Sequence, residues 1–358
     1  MRETLGLIRR FAPLLYEHKS TRAPAAWVVC VCTHNQTTDP RSNLVAKTFS
    51  ILGDSISTFD GWNPPGFDVF YSDERLEKTG VTHVEQTWWH LLIDHFGGTL
   101  LKNGSFSGSL VEGGFFPAGD SDARADAILG DEGEAPDAIV CFIGINDYGW
   151  GGAKMNADGH GSACPAELSA QAPVEKVLAE LAAPGQIERF KTAYASMLAR
   201  LRARCPETEI WCVTLVPGRI ADHVKPQFAY DFRGVPFAEY NDAIRAAAHE
   251  TGAHVADAFA CGMDYEAIEG THPTARGMRQ LAGMFAWSME HETEIDAALG
   301  RGARELATVP QSMLPAELLS EWGDATLWRS APLCADKPCS FCEHAMAPNN
   351  AWLLMCDN

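Results

Sequence analysis

Short apolar runs separated by amphipathic helices constrain this chain more than any other feature. Asp137 to Ile145 reads DAIVCFIGI, nearly continuous in apolar side chains. A run with no polar face to turn to water is the pattern of a strand buried in a parallel sheet. Lys47 to Gly53 (KTFSILG) and Glu209 to Val216 (EIWCVTLV) repeat it, and Thr99 to Lys102 and Ala253 to Phe259 are shorter versions. Between the runs, Glu85 to Phe96, Gln186 to Arg204, Phe237 to Glu250 and Thr274 to Glu290 carry apolar residues at helical spacing. The first of these stops at Gly97-Gly98 and the last starts behind Pro273, as helix ends and starts should. Buried strands alternating with helices predict an α/β fold. We expect a three-layer α/β/α sandwich around a flavodoxin-like, doubly wound parallel sheet of about five strands.

The chain has 358 residues. The periodic part sets one large domain at residues 47–292. An N-terminal extension at 1–46 precedes it. A helical or irregular connector at 293–333 and a small cysteine-rich tail at 334–358 follow. No internal repeat is visible. Lys plus Arg is 28 and Asp plus Glu is 47, a net charge of −19. That surplus argues against nucleic acid, whose binding needs a basic face to release counterions. It also argues against docking on an anionic membrane. No apolar run is long enough to span a bilayer. The first twenty residues mix acids and bases with apolar residues and do not read as a secretion signal. Cys30, Cys32, Cys141, Cys164, Cys205, Cys212 and Cys261 are scattered, several inside apolar runs. That is how reduced thiols of a cytoplasmic protein are distributed.

Four short segments stand at or beyond the carboxyl ends of the expected strands. They are Gly53-Asp54-Ser55, Asn103-Gly104-Ser105-Phe106-Ser107-Gly108, Gly144-Ile145-Asn146-Asp147, and Glu269-Gly270-Thr271-His272-Pro273. In a doubly wound fold all four meet on one edge of the sheet. A Ser, a His, a carboxylate and a side-chain amide converging there are what acyl transfer requires. Taken singly the segments are weak. Ser55 alone reads as a helix cap, and Asn146 with Asp147 as turn residues.

In order and spacing, over about residues 47–290, the four segments resemble the SGNH hydrolase (GDSL esterase/lipase) superfamily. The resemblance implies Ser55 as nucleophile and His272 as general base. Asn146 becomes an amide donor to the oxyanion. The family's oxyanion glycine falls at Ser105, where the donor is a backbone N–H that Ser also carries. Ser55 and Ser105 N–H groups and the Asn146 amide would then form the oxyanion hole. The family usually has Asp three residues before the His; here that residue is Glu269. Glu can orient an imidazole, and Asp264 or Asp257 are the alternatives for the role. Asp147 is expected to brace its loop, and Asp54 receives no catalytic role.

Residues 148–175, rich in Gly, Ala and His, read as a lid or substrate loop. Trp150, His160, Tyr230 and Arg233 are candidate substrate contacts from loops, and Phe67 to Tyr71 a candidate pocket wall. In the tail, Cys334, Cys339, Cys342 and Cys356 could hold one structural zinc, giving a core to a segment too small to have its own. Disulfides or free thiols are the alternative. No cofactor is expected for catalysis. The resemblance implies a serine esterase on short-chain acyl esters, such as an acetylated carbohydrate or a small-molecule ester. A lysophospholipase or thioesterase would use the same machinery. A non-catalytic, degenerate hydrolase acting as a binding module is the reading from a different class, motivated by the departures at Ser105 and Glu269.

Overall fold

A computed structural model describes residues 48–150, 185–220, 231–232, 235–268, 271–300 and 308–322. Five parallel strands form the central sheet: β1 (Thr48–Gly53), β2 (Thr99–Asn103), β3 (Ala138–Phe142), β4 (Glu209–Val213) and β5 (His254–Ala256). Their spatial order is β2-β1-β3-β4-β5, the flavodoxin-like order expected from the sequence. β1 pairs with β3 in unbroken register, Phe49 opposite Ala138 through Gly53 opposite Phe142.

The helices are α1 (Glu74–Thr79), α2 (Trp88–His95), α3 (Asp122–Asp126), α4 (Ile145–Trp150), α5 (Gln186–Arg204), α6 (Phe237–Thr251), α7 (Ala275–Glu290), α8 (Glu292–Leu299) and α9 (Ala316–Ser320). α2 packs on α7 on one side of the sheet, and α5 packs on α6 on the other, with α3 against α5. On the first side Trp88, Phe142 and Phe285 meet ring to ring, centroids 4.8–5.7 Å apart. On the second, Phe190 of α5 meets Tyr240 of α6 at 4.9 Å. Each such aromatic group removes a large apolar area from water.

Element ends differ from the sequence reading where a side chain replaces a ladder partner. The expected strand to Val216 stops at Val213. Beyond it, Asn241 of α6 accepts from Leu215 N at 2.7 Å and donates to Leu215 O at 3.0 Å. The expected helix from Glu85 begins only at Trp88, because the Thr87 hydroxyl caps it by accepting from His90 N at 3.3 Å. The expected strand to Phe259 ends at Ala256 and turns into a short 3-10 turn, Ala258–Cys261. Beyond the main sheet, a parallel pair not expected from the sequence joins Gly218–Ile220 to Tyr265–Ala267. It carries the chain toward His272. Within 293–333, Ile295, Leu299, Val309, Leu314, Leu318 and Trp322 are buried in the same core as the sheet. Among the described residues no helix is long and apolar enough to cross a membrane. Cys334, Cys339, Cys342 and Cys356 lie outside the described residues, as does the 1–46 extension. No group of metal-ligating side chains forms among the residues that are described.

Candidate active site

β1 ends at Gly53 and the chain turns at once. A Cβ on Gly53 would stand 2.4 Å from Ser57 Oγ and 3.0 Å from Phe142 O, so the turn has room only for hydrogen. Asp54 caps the single 3-10 turn Ser55–Ser57 by accepting from Ile56 N at 3.0 Å. That places Ser55 at the start of the turn. Asp54 is fully buried, and burial pushes its carboxyl up to about 7, against the pull of the Ile56 N–H, His272 and Arg124.

His272 reaches this turn from the far end of the sheet. Its Nε2 lies 2.9 Å from Ser55 Oγ, and both residues are buried. The imidazole is held on several sides. Phe70 stacks on it, ring centroids 3.4 Å apart and planes 4° from parallel. The guanidinium of Arg75 sits over Phe70 at 4.9 Å. Tyr265 donates its hydroxyl to Thr271 O at 2.7 Å, and Tyr71 donates to Pro273 O at 2.9 Å. Two tyrosines therefore grip the backbone on either side of the histidine. Thr274 then caps α7 by accepting from Gly277 N at 3.1 Å. Phe70 and Tyr71 come from the segment expected to wall the pocket; they hold the base. Tyr265 carried no sequence signal, because its work depends on a strand pair that no periodicity announces.

Asn146 lies in the first turn of α4, beyond the end of β3, which is β1's neighbour. Its Nδ2 donates to Ser109 O at 3.0 Å. One amide hydrogen is thereby fixed, and the second is left to aim elsewhere. Asp147 braces the adjacent loop as expected, accepting from Val111 N at 2.8 Å and Glu112 N at 3.2 Å. Burial pushes its carboxyl up to about 8.

Ser105 is placed differently from the sequence reading. It is fully buried, and its N–H already donates to Asn103 Oδ1 at 3.1 Å in an Asx turn. That N–H has no freedom to serve a substrate. Three residues on, Gly108 is part-exposed with φ of 76°, a conformation that favours glycine. Among the described residues, neither the Gly108 N–H nor the Ser55 N–H has an acceptor. The sequence signal for Gly108 was the Ser-Gly pair closing that segment. It could not be read without knowing where the Asn103 side chain goes.

Of the acids considered for His272, Asp257 is gripped by Arg245, with Nη2 donating to Oδ1 at 2.7 Å and Nε to Oδ2 at 3.0 Å. Asp264 accepts from Arg219 at 2.9 Å, and burial, the larger influence, still pushes its carboxyl up to about 6. Glu269, His160, Tyr230 and Arg233 lie outside the described residues; Trp150 ends α4, but its side chain is not described.

The arrangement is a nucleophile beside a base, next to unpaired N–H donors, which is a geometry for attack on a carbonyl. The sequence profile of the GDSL-like Lipase/Acylhydrolase family matches residues 47–221. No curated protein sequence matches the chain. Among solved structures, a protein of Bacteroides ovatus described as a GDSL-like lipase is 23% identical, with a TM-score of 0.42, covering 70% of this chain and 98% of its own. A phospholipase A1 of Streptomyces albidoflavus is 15% identical, with a TM-score of 0.38, covering 68% and 98%. A family 2 carbohydrate esterase of Corynascus thermopiles, carrying a carbohydrate binding domain, is 16% identical, with a TM-score of 0.40, covering 71% and 67%. Residues 47–221, which hold the Ser55, Gly108 and Asn146 segments, thus match the GDSL-like lipase/acylhydrolases, enzymes that hydrolyse ester bonds, on the strand order that the SGNH resemblance implies.

Proposed function

We propose that the protein is a serine esterase of short-chain acyl esters, such as an acetylated carbohydrate or a small-molecule ester, working through Ser55, His272 and Glu269. The observation that carries the reading is the 2.9 Å contact between Ser55 Oγ and His272 Nε2 in a buried setting. His272 Nε2 takes the hydroxyl proton as Ser55 Oγ attacks the ester carbonyl. The carbonyl oxygen becomes the oxyanion, held by the N–H groups of Ser55 and Gly108 and by the Asn146 amide. Collapse breaks the ester C–O bond, and the leaving alkoxide takes the proton from His272. Water then repeats the sequence on the acyl-enzyme, releasing the acid and restoring Ser55.

Glu269 is the proposed partner that orients the imidazole, since Arg245 binds both oxygens of Asp257 and Asp264 is paired with Arg219 through Oδ1. Retention of a buried Ser–His pair argues against a degenerate binding module. A cytoplasmic setting fits the buried thiols Cys141, Cys205 and Cys212.

The test is hydrolysis of p-nitrophenyl acetate, butyrate and octanoate by wild type, Ser55→Ala and Glu269→Ala, with fluorophosphonate labelling of Ser55. Activity lost in Ser55→Ala and reduced at least about tenfold in Glu269→Ala is expected. A preference for octanoate would replace the short-chain reading with a lysophospholipase or thioesterase. Folded wild type with neither turnover nor labelling would overturn the enzyme mechanism.

A further inference from the structure

α3 is only five residues long, yet it is anchored from outside and reaches inside. Asp122 pairs with Arg200 at 2.7 Å and Arg204 at 2.8 Å, and Asp126 pairs with Arg204 at 2.8 Å, tying α3 to α5. From its inner side Arg124 enters the protein and is completely buried. Each nitrogen of its guanidinium donates, four bonds in all. Nη2 donates to Gly53 O at 2.7 Å, and Nε to Gly104 O at 3.0 Å. Nη1 donates to Pro117 O and to Ser109 Oγ, both at 2.6 Å.

The identity of these acceptors is what matters. Gly53 is two residues before the nucleophile. Gly104 and Ser109 bracket the loop that carries the Gly108 N–H. Ser109 O is the acceptor that fixes the Asn146 amide. One planar fork thus bonds to the segments bearing the Ser55 and Gly108 donors and, through Ser109, to the residue whose carbonyl fixes the third, Asn146. All four acceptors are neutral, so the charge has no carboxylate in direct contact. Desolvating a cation costs several kcal/mol, which neutral acceptors offset only in part. Burial pulls the Arg124 guanidinium down to about 10, still protonated at neutral pH.

Resting on the esterase reading above, we infer that Arg124 is a positioning residue of the oxyanion hole. It locks the turn before Ser55 to the Gly104–Ser109 loop, so that the three donors converge before substrate arrives. Its charge, which no carboxylate contacts directly, favours the anionic intermediate over the neutral ester. Preorganised donors act on the transition state and leave ground-state binding alone. A residue that only supported the fold would affect stability and the fraction of active molecules, without changing the chemistry of each active one.

The test compares wild type with Arg124→Lys, Arg124→Met and Ser109→Ala, using p-nitrophenyl acetate. Active sites are counted by fluorophosphonate titration, so that misfolded molecules drop out. Per titrated site, Arg124→Lys should lose about 10- to 100-fold in kcat with KM changed less than about threefold. Inhibition by a trifluoromethyl ketone, which forms an anionic tetrahedral adduct, should weaken by the same factor. Inhibition by the matching methyl ketone should not. Lys keeps the charge but not the fork, and Met removes both, so a further loss in Met measures the charge. Ser109→Ala removes one acceptor and should lose a few-fold in kcat, which keeps the test open if neither Arg124 variant folds. Any folded variant of Arg124 with kcat per site within twofold of wild type overturns the inference, as does unchanged kcat in Ser109→Ala when it alone folds. A wild type that neither turns over nor labels removes the esterase reading and this inference together.

Discussion

At the scale of single residues, the site is held by groups that do no chemistry. Asp54 shows this most directly. Its carboxyl is pushed up from the ordinary 3.8 to about 7 by burial. Between those values the folded protein holds a proton that the unfolded chain has lost. Raising the pH through that window therefore costs stability, and the cost is complete above pH 7. Asp147, pushed up to about 8, acts in the same direction. Asn at position 54 keeps an oxygen for the Ile56 N–H and cannot ionise. Asp54→Asn should match wild type near pH 4 and exceed it by about 2–4 kcal/mol above pH 7. Urea unfolding at pH 4.5 and 8.5 measures this, and a difference independent of pH would refute it. Ser55, His272 and Asn146 were legible in the sequence because short segments at strand ends announce them. Gly108 and Arg124 were not. Which N–H is free depends on a side chain that folds back, and a lone Arg in DARAD looks like any helix-surface cation until its partners are known.

At the scale of elements, the strand order and four of the helices follow from apolar spacing, since burial dictates it. The placement of His272 does not follow from spacing. α7 must lie close against the Tyr265–Ala267 strand, and Gly277 makes that approach possible. A Cβ at Gly277 would stand 2.0 Å from Glu266 O, a backbone atom that cannot step aside. Gly283, on the same helix, faces only the far end of the Leu318 side chain at 2.9 Å. Gly277→Ala should therefore cost about 2 kcal/mol or more and slow the fluorophosphonate reaction of Ser55, because α7 begins directly behind His272. Gly283→Ala should stay within about 1 kcal/mol of wild type, as better helix propensity offsets the crowding. Thermal melts and labelling rates of the two variants separate these outcomes. Equal effects would mean that the helix-to-strand approach is not what fixes the base.

At the scale of the molecule, the packed unit runs past the last periodic helix. The sequence shows only an irregular connector after residue 292, because 308–322 is too short and too mixed to carry a period. Its burial is nevertheless complete at the points of contact. Val309 N donates to Ala260 O at 2.9 Å. Trp322 is 2% exposed, and its indole N–H donates to Asp264 O at 2.7 Å. Arg276 of α7 donates twice to Glu321 O, at 2.9 and 2.7 Å. The segment thus ties α7 to the turn before the Tyr265–Ala267 strand, on the route to His272. If it is part of the folding unit, Trp322→Ala should cost about 3–5 kcal/mol, the range for deleting a buried aromatic side chain. A melt lowered by about 6–15 °C would follow for a domain of this size. A loss below about 1 kcal/mol, in a single unchanged transition, would instead make 308–322 an appendage to a core that ends with α8. Trp322→Phe distinguishes packing from the indole bond. It keeps most of the buried area and loses only the donor to Asp264 O, so it should recover most of the stability if packing dominates.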